Sequence, residues 1–260
     1  MEVERYEHGV PSWVDLGTAD IPNAIEFYSG LFDWQVELGP PEAGGYSMAM
    51  LRGKPVAGLG PQMNPGPPYW TTYVSVDSAD DAVARATAAG GKVFMEPMDV
   101  MEFGRMAIFA DPVGAVISVW QPKAHVGAHI VNEPNSYSWS ELITTDTETS
   151  KEFYGAVFGW GHQTHGEGGP MPYTEWKIGD RSVGGMMPKP PQMPAEVPPH
   201  WGVYFSVDGT EAAIDKVKEL GGQVLVGPMD VEPGRFAVVS DPQGAVFNII
   251  TLAPQPAQGS

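Results

Sequence analysis

Two stretches of this chain are versions of one another, and that repetition limits the fold more than any other feature of the sequence. Pro11-Ser12-Trp13-Val14-Asp15-Leu16 returns as Tyr137-Ser138-Trp139-Ser140-Glu141-Leu142. Glu26-Phe27-Tyr28, with Phe32 and Trp34, returns as Glu152-Phe153-Tyr154, with Phe158 and Trp160. Pro97-Met98-Asp99-Val100 and Asp111-Pro112-Val113-Gly114-Ala115-Val116 return as Pro228-Met229-Asp230-Val231 and Asp241-Pro242-Gln243-Gly244-Ala245-Val246. Order is kept, and the offset grows only from 126 residues (Trp13 to Trp139) to 131 (Pro97 to Pro228). A unit of about 115 residues is too long for a solenoid repeat and long enough to bury its own core. The chain therefore reads as a first module over 1–122, a connector over 123–136, a second module over 137–253 and a flexible tail over 254–260.

Each copy reads strand, helix, strands, helix, strands. Trp13 to Thr18 alternates as a half-buried strand does. Asp20 is placed to cap the next helix, with Pro22 in its first turn and Ala24, Ile25, Phe27, Tyr28 and Leu31 as its apolar stripe. Tyr46 to Leu51 and Tyr173 to Ile178 read as strands, as do Trp70 to Val76 and Trp201 to Val207. Gly90-Gly91 and Gly221-Gly222 stop the second helices. Asp-Pro-x-Gly then turns a closing hairpin. The Met- and Pro-rich runs Pro61 to Pro68 and Met186 to Pro199 read as loops over a cleft mouth, and His162 and His165 as part of an exposed loop. Helices on one face of mainly antiparallel sheets make an α+β module.

Composition removes several function classes. With 14 basic and 32 acidic side chains the net charge is −18, the wrong sign for nucleic acid or anionic membranes. No cysteine is present, which excludes a disulfide scaffold, a thiolate nucleophile and sulfur-ligated metals. No apolar run approaches the roughly 18 residues of a membrane span, and the start lacks a signal peptide's basic-then-apolar order. A cytoplasmic protein, monomeric or homodimeric, is expected.

The pattern W-x-[DE]-L-x-T-x-D, then E-F-Y-x-x-x-F-x-W, a strand ending V-D, and D-P-x-G-A-V resembles the vicinal oxygen chelate superfamily. That group includes glyoxalase I, extradiol dioxygenases, fosfomycin-modifying enzymes and bleomycin-resistance binding proteins. The resemblance extends over both halves and is nearest to the tandem glyoxalase-like proteins of actinobacteria. It implies two tandem βαβββ modules whose curved, mixed, mainly antiparallel sheets surround a cleft. It also implies where a metal enzyme of the group would keep its ligands: at Trp13 and Trp139, Thr71 and Gly202, and Ser118 and Asn248. None is a usual ligand, whereas zinc and its neighbours take imidazole or carboxylate atoms at about 2.0–2.2 Å. No metal and no cofactor is expected.

If Trp13 faces the cleft, period-two alternation brings Asp15, Tyr73 and Trp120 to the same face, and Trp139, Glu141, Gly202, Tyr204, Asn248 and Ile250 in the second copy, with His200 at the strand's start. The opposite parity, Val14, Leu16, Val74, Val76, Ile117 and Val119 with their counterparts, suits a helix-covered face. Trp70 and Trp201 point to the helices. An aromatic wall with a few convergent polar groups is the character of a small-molecule site. The expected ligand residues are Trp13, Asp15, Tyr73, Trp120, Trp139, Glu141, His200, Tyr204 and Asn248. His125 and His129 lie in the connector and read as surface or structural residues. Arg105 and Arg235 read as internal ion pairs with Asp99 and Asp230.

Two functions compete. One is metal-free binding of a hydrophobic or aromatic small molecule, with a cationic group tolerated by the acidic charge, in antibiotic sequestration, resistance or natural-product biosynthesis. The other is a glyoxalase- or dioxygenase-type lyase or isomerase. It would use a relocated metal on Asp15, Glu141 and His200, or acid–base chemistry by Glu141 and His200.

Overall fold

The computed structural model describes residues 1–63, 66–169 and 171–253; the expected tail, 254–260, lies outside them. The first module runs β1 (Pro11–Thr18), α1 (Ile21–Phe32), β2 (Gln35–Leu38), β3 (Ser47–Leu51), β4 (Lys54–Pro61), β5 (Tyr69–Ser75), α2 (Ala79–Ala88), β6 (Lys92–Val100), β7 (Gly104–Ala110) and β8 (Val116–Pro122). The second repeats it as β9 (Tyr137–Thr144), α3 (Thr147–Phe158), β10 (Gly161–His165), β11 (Tyr173–Ile178), β12 (Arg181–Pro188), β13 (His200–Ser206), α4 (Thr210–Glu219), β14 (Gln223–Val231), β15 (Gly234–Ser240) and β16 (Val246–Leu252). Each module thus holds two βαβββ units. They merge into one eight-stranded sheet, ordered β2-β3-β4-β1-β5-β8-β7-β6 and β10-β11-β12-β9-β13-β16-β15-β14. Within each sheet β1–β4 and β5–β8, or their counterparts, pair parallel, and the remaining neighbours pair antiparallel.

Local signals behave as the residues dictate. Asp20 accepts the Asn23 amide at 3.1 Å, and Asp146 that of Thr149 at 3.0 Å, filling orphan donors of the first helical turns. Gly90 (φ 86°) and Gly221 (φ 85°) end α2 and α4 in the left-handed region. Two readings need correction. His162 and His165 lie on β10, an exposed edge strand, because the pairing of Gly161–His165 with Tyr173–Lys177 extends the sheet by one strand. Met186 and Met187 belong to β12, with Met186 wholly buried, so the loop begins only after Pro188.

The helix layer is shared. Phe27, Tyr28 and Phe32 of α1 are buried, but they pack on the second module: Phe32 lies 5.0 Å from Phe205 and Phe27 6.3 Å from Phe247 between ring centroids. Phe153 of α3 reciprocally meets Phe109 at 6.1 Å. Both cores mix residues of both modules. Each buried aromatic adds about 1.5–3 kcal/mol of burial energy, so the modules hold one another folded. The helix-covered faces meet across the modules, and the opposite face of each sheet, the expected cleft wall, carries its own copy of the aromatic and carboxylate set. Among the described residues no helix is long and apolar enough to cross a membrane.

Candidate functional site

Both clefts contain the same hydrogen-bonded chain. In the first, the Trp13 indole donates to the Tyr46 hydroxyl at 2.9 Å, Tyr46 donates to Asp15 Oδ2 at 3.3 Å, and Tyr73 donates to the same oxygen at 2.9 Å. In the second, Trp139 donates to Tyr173 at 3.1 Å, Tyr204 donates to Glu141 Oε1 at 3.0 Å, and Tyr173 also hydrogen-bonds Glu141. An indole N–H can only donate, so each middle tyrosine accepts it and keeps its own proton free for the carboxyl group. β-sheet register builds the cluster: Trp13 faces Tyr73 across β1–β5, and Trp139 faces Tyr204 across β9–β13.

Glycine makes room for it. An added Cβ on Gly58 would lie 1.9 Å from the Tyr46 hydroxyl oxygen, and one on Gly185 would lie 1.9 Å from that of Tyr173. Gly58 pairs with Asp15, and Gly185 with Glu141. Strand-interior glycines of this kind mark close approach by another group.

The electrostatics follow from burial. Asp15 is pushed up to about 7 because loss of solvent outweighs its two phenol donors. Burial also raises Glu141, against the donors Tyr173 and Tyr204. Tyr46, Tyr73, Tyr173 and Tyr204 are themselves raised, first by burial and then by the neighbouring carboxylate, so they keep their protons.

This donor set does not fit the divalent metal of related enzymes. At the positions implied by the resemblance stand Trp13, Thr71 and Ser118, and Trp139, Gly202 and Asn248. The register Asp15–Gly58 is repeated by Tyr73–Ser118, which makes Gly58 and Gly185 the related fourth positions. Neither glycine offers a side-chain ligand, both indole nitrogens are spent on tyrosines, and each tyrosine hydroxyl fills the space above its glycine. No group of three His, Cys, Asp or Glu among the described residues could hold a metal.

The two clefts differ in access. The connector crosses the first: His125 lies edge-on to Trp13 (4.5 Å, 84°) and Trp120 (5.7 Å, 70°), and its carbonyl accepts the Trp120 indole at 2.8 Å. Backbone bonds from His125 to Phe103 (3.0 Å), Ala128 to Ser12 (2.8 Å) and His129 to Pro55 (2.8 Å) fasten the segment. Burial lowers His125 to about 4, so its ring is neutral, and its buried Nε2 has no hydrogen-bond partner among the described residues. Trp13 is 4% exposed as a result. In the second cleft Trp139 is only half-buried, and no aromatic ring among the described residues meets it. Ile250 stands where the first cleft has Trp120, and Gly202 where it has Thr71. Val226 and Val231 on β14 are exposed, whereas their counterparts Met95 and Val100 of β6 are half-buried; Met229 and its counterpart Met98 are both exposed.

Of the expected residues, Trp13, Asp15 and Tyr73 form one cluster, and Trp139, Glu141 and Tyr204 form the other. Trp120 packs with His125. Asn248 lies beside Tyr204 and donates to the Val203 carbonyl at 3.2 Å. His200 is not brought to Glu141: it sits one strand step along β13, and its Nδ1 turns to the Pro198 carbonyl at 2.8 Å. Tyr46, Tyr173 and the ring of His125 escaped the sequence reading. The usable signal was a tyrosine recurring at the head of the same strand in both copies, opposite glycines inside an apolar strand. Arg105 pairs mainly with Asp80 (2.8 Å) and only at 3.5 Å with Asp99, while Arg235 binds Asp230 at 2.7 Å.

The model of the Glyoxalase/Bleomycin resistance protein/Dioxygenase superfamily matches residues 11–119 and 128–249. CFP32 of Mycobacterium tuberculosis, provisionally named a glyoxylase, is 43% identical over 259 residues, with 96% of this chain and 98% of that protein covered. The anthracycline biosynthesis protein DnrV of Streptomyces peucetius is 37% identical over 264 residues, covering 95% of each. Among solved structures, the Mn(II)-bound glyoxalase of Novosphingobium aromaticivorans superposes with a TM-score of 0.66 at 19% identity, over 94% of this chain and 83% of the other. The 2,3-dioxygenase LapB of Pseudomonas sp. KL28 also gives 0.66, at 15% identity, over 97% and 96%. These two similarities establish the fold.

Proposed function

We propose that this chain, which belongs to the glyoxalase/bleomycin resistance protein/dioxygenase superfamily, is a metal-free binder of a flat aromatic small molecule and seats it in the cleft of the second module. The observation that carries the reading is the occupied first cleft. There the protein already holds an aromatic ring, His125, against Trp13 and Trp120. The second module offers the equivalent indole, Trp139, half-buried and without a ring against it among the described residues, with the smaller Gly202 and Ile250 in place of Thr71 and Trp120. Aromatic pairs of this type contribute about 0.5–1.5 kcal/mol beyond the area they bury. Similarity to a protein named for anthracycline biosynthesis supports a role in handling, sequestering or resisting a polycyclic natural product.

The test is calorimetric titration of a panel of polycyclic aromatic compounds into the wild type and two variants. Trp139→Ala is expected to weaken binding by about tenfold or more, which is about 1.4 kcal/mol. Trp13→Ala should leave affinity within about twofold and lower the melting temperature instead, because Trp13 is enclosed by Tyr46 and His125. Equal losses from both variants, or no saturable binding across the panel, would refute the reading. Stoichiometric metal in the purified protein would refute its metal-free part.

A further inference from the structure

We infer that Glu141 meets the guest of the second cleft as a protonated carboxyl that donates a hydrogen bond to a carbonyl oxygen, so that the site prefers neutral aromatic ketones and quinones to cationic rings. This rests on the binding reading above and names its ligand class.

Glu141 is 7% exposed, and among the described residues no lysine, arginine or histidine lies within ion-pairing distance of it. Every element packed around it presents a neutral group: Trp139 on β9, Tyr173 on β11, Gly185 on β12, Gly202 and Tyr204 on β13, and Asn248 on β16. Farther along β13, His200 is engaged by the Pro198 carbonyl. Glu175, beyond Tyr173 on β11, is matched by Lys177 and His165. With no cation to match it, burial penalises the ionised carboxyl more than its two phenol donors favour it, and this raises its pKa.

The direction of the hydrogen bonds then decides what the guest must supply. Tyr173 receives the Trp139 indole proton and gives its own to Glu141, and Tyr204 gives its proton to Oε1 at 3.0 Å. Both phenols spend their protons on the carboxyl group. Nδ2 of Asn248 is directed at the Val203 carbonyl. The carboxyl proton of Glu141 is then a donor left for a guest beside the second amide proton of Asn248, and a carbonyl oxygen on a flat ring is its complement. Glutamate also reaches one methylene farther from its strand than Asp15 does in the first cleft. A cationic guest would require an ionised Glu141, and both charges would have to be stripped of water.

The experiment compares three two-ring probes: 1,4-naphthoquinone, naphthalene and 1-naphthylmethylammonium. The absence of cysteine removes the thiol that would add to the quinone. Titrated by calorimetry at pH 6, the wild type should bind the quinone about tenfold more tightly than either other probe, and that advantage should shrink as the pH is raised toward 9 and Glu141 ionises. Glu141→Gln keeps an N–H donor at the same place. It should hold quinone affinity within about threefold at pH 6 and remove the pH dependence. The inference is overturned if the ammonium probe binds most tightly and gains affinity with pH, or if wild-type quinone binding does not change with pH. Naphthalene binding as well as the quinone leaves the ring-binding reading standing and removes the carbonyl preference. No binding of any probe at either pH removes both. Should the glutamine variant fail to fold, the wild-type pH profile decides alone.

Discussion

Asp111→Ala is expected to destabilise the protein by roughly 2–4 kcal/mol. Asp111 Oδ1 accepts the amides of Val113 (2.9 Å), Gly114 (2.7 Å) and Ala115 (2.9 Å), which shapes the β7–β8 turn. Its Oδ2 accepts the Tyr154 hydroxyl from α3 of the other module at 3.1 Å, and that hydroxyl accepts the Trp201 indole at 2.9 Å. Alanine strands the Val113 and Ala115 amides and a buried phenol together, while the Gly114 amide keeps the Asp111 carbonyl at 3.0 Å, and a buried unsatisfied donor costs about 1–3 kcal/mol. Asp111→Asn keeps an acceptor for the amides and should recover more than half of the loss. The arrangement is reciprocal: Asp241 accepts Tyr28 at 3.1 Å, and Tyr28 accepts Trp70 at 3.0 Å. Asp241→Ala should therefore have a similar effect. Urea unfolding measures both. A loss below about 1 kcal/mol would show that the seam does not rest on these pairs.

Asp15→Asn is expected to stabilise the protein at pH 8 by roughly 2–4 kcal/mol and to change little at pH 4. The folded-state pKa of Asp15 is raised from 3.8 to about 7. The native state therefore binds this proton more tightly than the unfolded chain does. Stability from the group is fully present below 3.8 and is lost as pH climbs to about 7. Asparagine resembles the protonated side chain across the whole range. It also keeps the geometry, because Tyr46 and Tyr73 both address Oδ2, and one amide oxygen can accept from both. Thermal melts of wild type and variant between pH 4 and 8 should diverge progressively. A constant gap would mean that Asp15 titrates at its ordinary value and that the cleft does not desolvate it.

Much of this was legible from residues alone. The duplication, the α+β alternation and the separation of strand faces follow from local rules, since side chains on a strand alternate whatever the strand packs against. Hence Val14 and Leu16 could be assigned to the helix face, and Trp13 and Asp15 to the cleft. Asp20 was recognisable as a cap because its capping partner lies three residues away. The carboxyls Asp15 and Glu141 were found by the same parity. Their tyrosine partners were not, since Tyr46 and Tyr173 arrive from a strand two places across the sheet and are admitted by Gly58 and Gly185.

Sequence by itself determined the modules, their elements and the two faces of each sheet, because these depend on spacing within a segment. Only the tertiary structure decided which module's helix covers which sheet, that Asp-Pro-x-Gly aspartates lock the seam, and that His125 closes the first cleft while Trp139 stays accessible. Those outcomes depend on how two nearly identical units are placed against one another. The repeated pattern is the same whether a helix packs at home or on its neighbour, so the choice is made by packing over distances that no local periodicity records.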